Sequence, residues 1–478
     1  MDKPLLFQAY EWYLASNHDH YKRLQELAPH LKQMGFSAIW LPPFFKATSP
    51  FDVGYGIYDL YDLGEFDQLG QLPTRYGNRE DLEKLLQTLT DLDLLPLADV
   101  VINHKAGADF SERFLATPVN PENREEVIGE EREIEGWTGF RFPGRGGKYS
   151  GFVWHYYHFT GVDYDNLAHE AGIFKISGEY KDWAEGVSRE KGNYDYLMFA
   201  NVDHAHPDVI EELKRWIDWL LSSLPLRGLR FDALKHIDAD FMLDYLRHLN
   251  GRELLLIGEY WENNADTLIH YIDQMEQKMI LFDVPLHFHF YEASIRGADY
   301  DLRTIKDNTL VDRMPTHAVT FVDNHDSQPG QSLQSFVEDS FKIQAYTFIL
   351  LRKDGFPSVF YGDYLGIGGE DPNKSHQRMI DKLLEIRRDH AAGEQHDYFE
   401  HHNCIGWLRT GDEHHTPLAV LLSNGQSHEI RMEVGRHLAG RAFVDYTGHQ
   451  VGEVFIDEEG WGIFYTGDNS VSVWGLAK

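Results

Sequence analysis

The chain has 478 residues, 42% hydrophobic and 14% aromatic, and a formal net charge of -33 at pH 7. That composition excludes a disordered protein, and the charge argues against nucleic acid or an anionic membrane as partner, because phosphates would be repelled. The single cysteine, Cys404, excludes an intrachain disulfide, and neither a spanning helix nor a basic-then-apolar leader is visible at Met1–Phe7, so a soluble, cytoplasmic protein is expected.

In chain order, short apolar runs alternate with longer amphipathic stretches, which is the pattern of β/α units around a parallel sheet. Strands are predicted to end at Tyr10, Pro42, Asn103, Asp232, Glu259, Asp283, Asp323 and Gly362. Helices are predicted over Tyr21–Met34, Asp81–Leu92 and Pro207–Leu221. The last has Ile210, Leu213, Ile217 and Leu220 at helical spacing, with Trp216 and Trp219 read as core. Eight units predict an α/β fold, a (β/α)8 TIM barrel whose active site lies on the loops after the strands.

Two regions break this rhythm. Between Asn103 and His206 a stretch rich in Gly, Trp, Tyr and charge predicts an inserted small β-rich domain after strand three. Beyond Ala391 the helices stop, and Leu418–Leu422, Glu429–Val434, Gly462–Tyr465 and Ser470–Trp474 predict a C-terminal antiparallel β-sandwich. The expected division is 1–103 with 206–390 for the barrel, 104–205 for the insertion and 391–478 for the sandwich.

Four predicted strand ends carry polar groups: Asp99 to His104, Arg230 to His236, Glu259 to Trp261, and Asp323 to Asp326. In a barrel such ends converge on one mouth. Arg230 and Asp232 are two apart, so on a strand they face the same way. The guanidinium is expected to keep Asp232 ionised, as a covalent nucleophile requires. Glycoside hydrolysis needs two carboxylates flanking one bond. Glu259, with aromatic neighbours that could desolvate it, suits the acid/base role. Asp326 would be a third acid that binds sugar hydroxyls.

These segments resemble the sequence blocks of the α-amylase family of glycoside hydrolases. The likeness runs from Gln8–Tyr13 through Asp52–Glu65 to Gly460–Gly462, and is greatest towards the bacterial liquefying-type enzymes in Gly192–Met198 and His206–Asp208. The resemblance implies retaining endo-hydrolysis of α-1,4-glucosidic bonds in starch, glycogen or maltodextrins. It assigns Asp232, Glu259 and Asp326 to catalysis. It also implies that His104, Arg230 and His325 contact the sugar at the cleavage point, that Tyr55 stacks on it, and that Lys235, His236 and Trp261 line the leaving-group side. An α-glucan is then the partner, and a monomer is expected.

The same family holds calcium, often with sodium, where the inserted domain meets the barrel. Hard cations need several oxygen ligands, mostly carboxylates. Here Thr160, Ala184, Asn201 and Ala205 stand at positions where the resemblance implies acids, and Asn403 and Asn424 do so near the sandwich. Asn103, Asp195, Asn201 and the His236 carbonyl remain as metal ligands, with Asp203 nearby. The expectation is an enzyme requiring no cofactor, holding at most one weak calcium or monovalent cation, with neutral hydrogen bonds among Asn103, Asn201 and Asp195 securing the insertion. The alternatives are a transglycosylating or branching-type enzyme on the same barrel and a non-catalytic carbohydrate-binding relative; the presence of all three acids speaks against the latter.

Overall fold

Eight short runs of buried residues pair in parallel and close on themselves in the computed structural model, which describes residues 4–179, 181–368 and 375–477. The strands are β1 (Leu6–Gln8), β2 (Ala38–Trp40), β3 (Leu95–Val100), β4 (Gly228–Phe231), β5 (Leu255–Gly258), β6 (Ile280–Phe282), β7 (Ala318–Phe321) and β8 (Phe356–Phe360). Each pairs with its sequence neighbour, and β1 closes the barrel against β8, with Leu6 opposite Ser358. Every predicted strand end falls at or just past one of these strands. Met1–Lys3, on which the leader reading partly rests, lie outside the described residues.

The helices between the strands form where the apolar spacing placed them. His20–Met34 buries Tyr21, Leu24, Ala28, Leu31 and Met34, the one-face pattern of an amphipathic helix, and stops at Gly35 in the left-handed region (φ +95°). Pro207–Ser223 starts with a proline in its first turn and with the His206 ring accepting the Asp208 N–H at 3.2 Å. Trp216 of this helix is fully buried and donates to the Leu60 carbonyl at 2.9 Å, while Trp219 packs on Tyr61 and Tyr149. Both are core.

Between β3 and β4 the chain builds a seven-stranded sheet. His104–Lys105 pairs with Ala200–Val202, which pairs in turn with Phe159–Asp165. The outgoing and returning segments of this excursion therefore lie side by side. Beyond the barrel, six strands from Gln395 to Leu476 form one antiparallel sheet, and His428–Glu433 pairs with Trp461–Thr466 as a second. Leu408, Leu421 and Trp474 from the first pack against Met432 and Phe464 from the second, a sandwich core. The strands Gln395–His401 and Cys404–Arg409 were not among those predicted. Helix Asp339–Leu351 is buried on nearly every side because it lies between barrel and sandwich, with Phe348 edge-on to Trp407.

Candidate active site

The polar strand ends do converge. Tyr55, His104, Asp232, Lys235, His236, Glu259, Trp261, His325 and Asp326 all line one cleft of about 670 Å³ at the C-terminal mouth of the barrel. Arg230 lies beneath it, fully buried.

Arg230 organises the floor. Its Nη1 donates to Asp99 Oδ1 at 2.8 Å and to Asp232 Oδ1 at 2.6 Å, and Nη2 lies 3.6 Å from Glu259 Oε2. The guanidinium also rests 4.9 Å from the Trp40 ring centroid. Asp99 Oδ2 takes three more donors: the hydroxyls of Tyr10 (3.0 Å) and Tyr55 (2.9 Å) and the Trp40 indole N–H (2.9 Å). One cation thus serves three carboxylates. Glu259 is pinned separately, by the Ala233 N–H at 2.8 Å. Ala233 adopts a left-handed conformation (φ +54°) directly after Asp232, which costs a non-glycine residue about 1–2 kcal/mol.

The shared guanidinium changes the electrostatic expectation. Burial holds the Asp232 carboxyl well above the usual carboxylate range; Arg230 opposes this, while Glu259, Asp99 and Asp326 reinforce it. Arg230 is divided among several acids, so its pull on Asp232 is opposed by burial and by the neighbouring carboxylates. Burial, with Glu259 adding, pushes Asp326 up to about 7. A cluster of this kind retains protons near neutral pH.

The histidines are neutral. Burial lowers His104 to about 4, and its Nε2–H donates to the Tyr55 carbonyl at 2.8 Å. Burial, then the Arg230 charge, holds His325 well below its ordinary value. Gln8 donates to His325 Nδ1 at 3.0 Å, which leaves the proton on Nε2, 3.3 Å from Asp326 Oδ2. Tyr55 sits on the loop after β2, where Gly54 (φ +107°) passes so close to Pro43 that a Cβ would lie 2.5 Å from its carbonyl oxygen. The rings of Trp12, Tyr55 and His325 lie within 10° of parallel, an arrangement suited to stacking on a sugar face.

Lys235 donates to Glu190 at 2.6 Å and to the Trp261 carbonyl at 3.1 Å. The His236 imidazole N–H meets the Tyr194 carbonyl at 2.7 Å. Asp99, Trp12, Glu190 and Tyr194 were assigned no role by sequence. Asp99 stood on a predicted strand end and could have been found there. The others reach the cleft only through tertiary contacts.

Three of the four residues read as metal ligands, Asn103, Asn201 and Asp195, are joined in one hydrogen-bonded chain. Asn103 Nδ2 donates to Asn201 Oδ1 at 3.3 Å, and Asn201 Nδ2 donates to Thr160 Oγ1 at 2.9 Å. Asp195 joins this chain through Thr160, whose hydroxyl donates to Asp195 Oδ2 at 2.9 Å, and not directly as expected. Asn103 Oδ1 and Asp195 Oδ1 are buried with no hydrogen-bond partner. Two orphaned oxygens with one formal charge fit one weakly held cation, not a multi-carboxylate cage. A further trio, His158, His206 and Asp208, brings its ligand atoms within 4.8 Å of one another. Backbone N–H groups donate to Nδ1 of both histidines, at 2.9 and 3.2 Å. Each neutral ring then carries its proton on Nε2, which opposes metal binding there.

The comparisons with known proteins agree with this geometry. Residues 22–127 match the family described as "Alpha amylase, catalytic domain", and 418–475 match "Alpha-amylase C-terminal". An α-amylase of Bacillus licheniformis is 45% identical across 98% of this chain and 93% of its own length. The cytoplasmic α-amylase of Escherichia coli K12 is 40% identical across 99% of both. The chain belongs to the α-amylase family of glycoside hydrolases. A glucan 1,4-α-maltohexaosidase of Bacillus sp. strain 707 is 45% identical over 98% of this chain and 92% of that one. Among solved structures, an Anoxybacillus α-amylase superposes with a TM-score of 0.67 at 17% identity, covering 100% of this chain and 98% of that one. At that identity the likeness shows the fold alone. The α-amylase fold is thus reached from both sequence and structure, and the enzyme is a hydrolase of that family.

Proposed function

We propose that this α-amylase cleaves internal α-1,4-glucosidic bonds of starch, glycogen or maltodextrins with retention of configuration, and does so without calcium. The observation that carries the mechanism is the bridging of Asp232 and Glu259 by one guanidinium on the floor of the cleft, with Asp326 lining the same cleft. Retention requires these two carboxyls to lie at the short spacing of retaining glycosidases, about 5–5.5 Å.

Asp232 attacks the anomeric carbon while Glu259 passes its proton to the glycosidic oxygen, so the leaving sugar departs neutral. A glycosyl ester on Asp232 results. Glu259, now a carboxylate, takes a proton from water; the hydroxyl attacks the same carbon and Asp232 leaves as a carboxylate. Arg230 holds the nucleophile in place and disperses its charge. Asp326 and His325 bind hydroxyls of the ring that is distorted, His104 donates or accepts beside them, and Tyr55 stacks against the sugar. Lys235, His236 and Trp261 receive the leaving chain.

Calcium independence is supported by the neutral Asn103–Asn201–Thr160 chain at the first site, where Asn103, Asp195, Asn201 and the His236 carbonyl would hold at most one weak cation. The reading further comprises a monomer divided at 1–103 with 206–390, 104–205 and 391–478. A cytoplasmic location is supported by the E. coli relative; among the described residues no helix is long and apolar enough to cross a membrane.

The test is a reducing-end time course on soluble starch in excess chelator. Sustained hydrolysis with β-to-α mutarotation absent from the initial product supports hydrolysis, retention and calcium independence together. Activity that collapses and returns with calcium refutes the metal reading alone; silence in both buffers refutes the substrate.

A further inference from the structure

The stem by which the insertion returns to the barrel contains a cation of its own. The Lys181 ammonium, on a side chain only 9% exposed, pairs with Asp203. It also donates to the carbonyl oxygens of Tyr157 at 2.5 Å and Phe159 at 3.4 Å. A carboxylate and two carbonyls around one positive centre is the oxygen donor set a hard cation takes, here filled by Nζ.

The three segments meeting at that atom come from different parts of the insertion. Residues 157–159 lead into strand Phe159–Asp165, and Asp203 leads through His206 into helix Pro207–Ser223. Asp203 is itself fixed: its N–H donates to the His158 carbonyl at 2.9 Å, and its Oδ1 accepts the Ala205 N–H at 3.0 Å. Beside it lies a cavity of about 500 Å³ whose lining includes Thr160, Ala184, Ala205 and seven acids, among them Asp195, Asp203 and Asp238. Thr160, Ala184 and Ala205 bring no charge to it.

The segment that starts at Lys181 ends in the active-site cleft. Gly186 donates to Asp238 at 3.0 Å and its carbonyl accepts the Ala239 N–H at 2.9 Å; Ser188 N–H donates to the Lys235 carbonyl at 2.9 Å. Two residues on, Glu190 reaches the Lys235 ammonium at 2.6 Å and lines the cleft. Residues 181–190 are a strap over the leaving-group side, and Lys181 is the anchor at its far end.

We propose that Lys181 is the resident cation of this junction, taking on Asp203 the place of a divalent ion and so positioning the strap that carries Glu190. This rests on the calcium-independent reading and supplies its cause. Lys181 touches no substrate; it is a positioning residue.

The test compares the wild type, K181R, K181M and the double variant K181M/D203N, each assayed for kcat and KM on a maltooligosaccharide and for Tm, in EGTA and in millimolar calcium. The wild type and K181R should be indifferent to calcium. K181M leaves the buried Asp203 carboxylate without its counter-charge, so in EGTA it should lose at least about tenfold in kcat/KM, chiefly through KM, and lose Tm; calcium should restore both. K181M/D203N, with neither charge, should recover most of that loss in EGTA and show no calcium response. K181M that matches the wild type in EGTA overturns the proposal, as does a K181M defect that neither calcium nor D203N relieves. A wild type inactivated by EGTA refutes the calcium-independent reading separately. Lys181 is then judged on Tm alone, and a calcium-induced shift no larger in K181M than in the wild type overturns its assignment.

Discussion

Asp99→Asn probes the cluster without replacing any group proposed to meet substrate. Asp99 is fully buried on β3 and accepts four hydrogen bonds, one from Arg230 on Oδ1 and three from Tyr10, Tyr55 and Trp40 on Oδ2. An asparagine keeps one acceptor oxygen. With that oxygen facing the three neutral donors, its NH2 faces the guanidinium. The charge-assisted bond is lost and two donors oppose each other, for about 3 kcal/mol of unfolding free energy. The electrostatic consequence is more specific. Asp99 is among the charges that raise Asp232 and Asp326, so removing it lowers both. The nucleophile then ionises at lower pH, and the acid limb of kcat/KM should move down in pH while kcat falls about tenfold from the loosened Arg230 and Tyr55. The assay is the pH profile of kcat/KM on a chromogenic maltooligosaccharide, alongside urea unfolding at pH 7. A variant that merely loosens the site would lose rate at every pH with its acid limb unmoved. That result, or a limb shifted upward, would refute the shared-guanidinium argument.

Glu259→Gln should cut kcat by about a thousandfold with KM little changed, because Gln keeps the bond from the Ala233 N–H but holds no transferable proton; loss confined to KM would remove Glu259 from the acid/base role. His287 is buried between the Val322 carbonyl (2.6 Å) and Ser335 Oγ (2.8 Å), and burial lowers it to about 4. The fold favours its neutral form, so its contribution is full above the unfolded value near 6.5 and is lost as pH falls to about 4. The unfolding free-energy gap between wild type and H287Q should therefore narrow by about 3 kcal/mol from pH 7 to pH 4, read from urea midpoints; a gap independent of pH would mean that His287 is not held neutral. Glu190→Gln breaks a half-exposed pair with Lys235, worth at most about 1 kcal/mol, so KM for long glucans should rise up to about fivefold with kcat within twofold. A large fall in kcat would instead place Glu190 in the chemistry.

The barrel was legible because its strands are short apolar runs that end on polar residues, and that pattern survives without tertiary information. Asp232, Glu259 and Asp326 could be read for the same reason. Two of the four sandwich strands not predicted, Gln395–His401 and Cys404–Arg409, show the converse. Gln395–His401 alternates as Gln-His-Asp-Tyr-Phe-Glu-His and is nowhere fully buried, so it lacks the apolar contrast from which a strand is read, and its pairing with Cys404–Arg409 supplies what composition does not. Asp99 illustrates a different limit. Its place in an apolar run was visible, but its four donors come from the residues just after β1, the loop after β2, β2 and β4, and only closure of the barrel brings them together. The sharing of Arg230 was hidden for the same reason, since the acids that compete with Asp232 for it are remote in sequence.

The junction of insertion and barrel makes that limit quantitative in charge. Reading the sequence for missing acids at 160, 184, 201 and 205 counts the negative charge removed, but not the positive charge that meets what is left. Lys181 lies 22 residues before Asp203, with no periodicity to relate them, so the pair exists only in the folded chain. Its being covalently tethered matters. A free divalent ion must give up translational freedom and most of its hydration to bind Asp203, whereas the ammonium is already present at a local concentration of about millimolar or higher. Calcium would have to displace that tethered cation to gain one carboxylate and two carbonyls at this point, where Thr160, Ala184 and Ala205 add no charge. Millimolar calcium should accordingly leave the Tm of the wild type unchanged within about 1 °C, a ΔΔG of no more than about 1 kcal/mol for a chain of this size. A rise of several degrees would show that a divalent ion outcompetes Lys181 on Asp203.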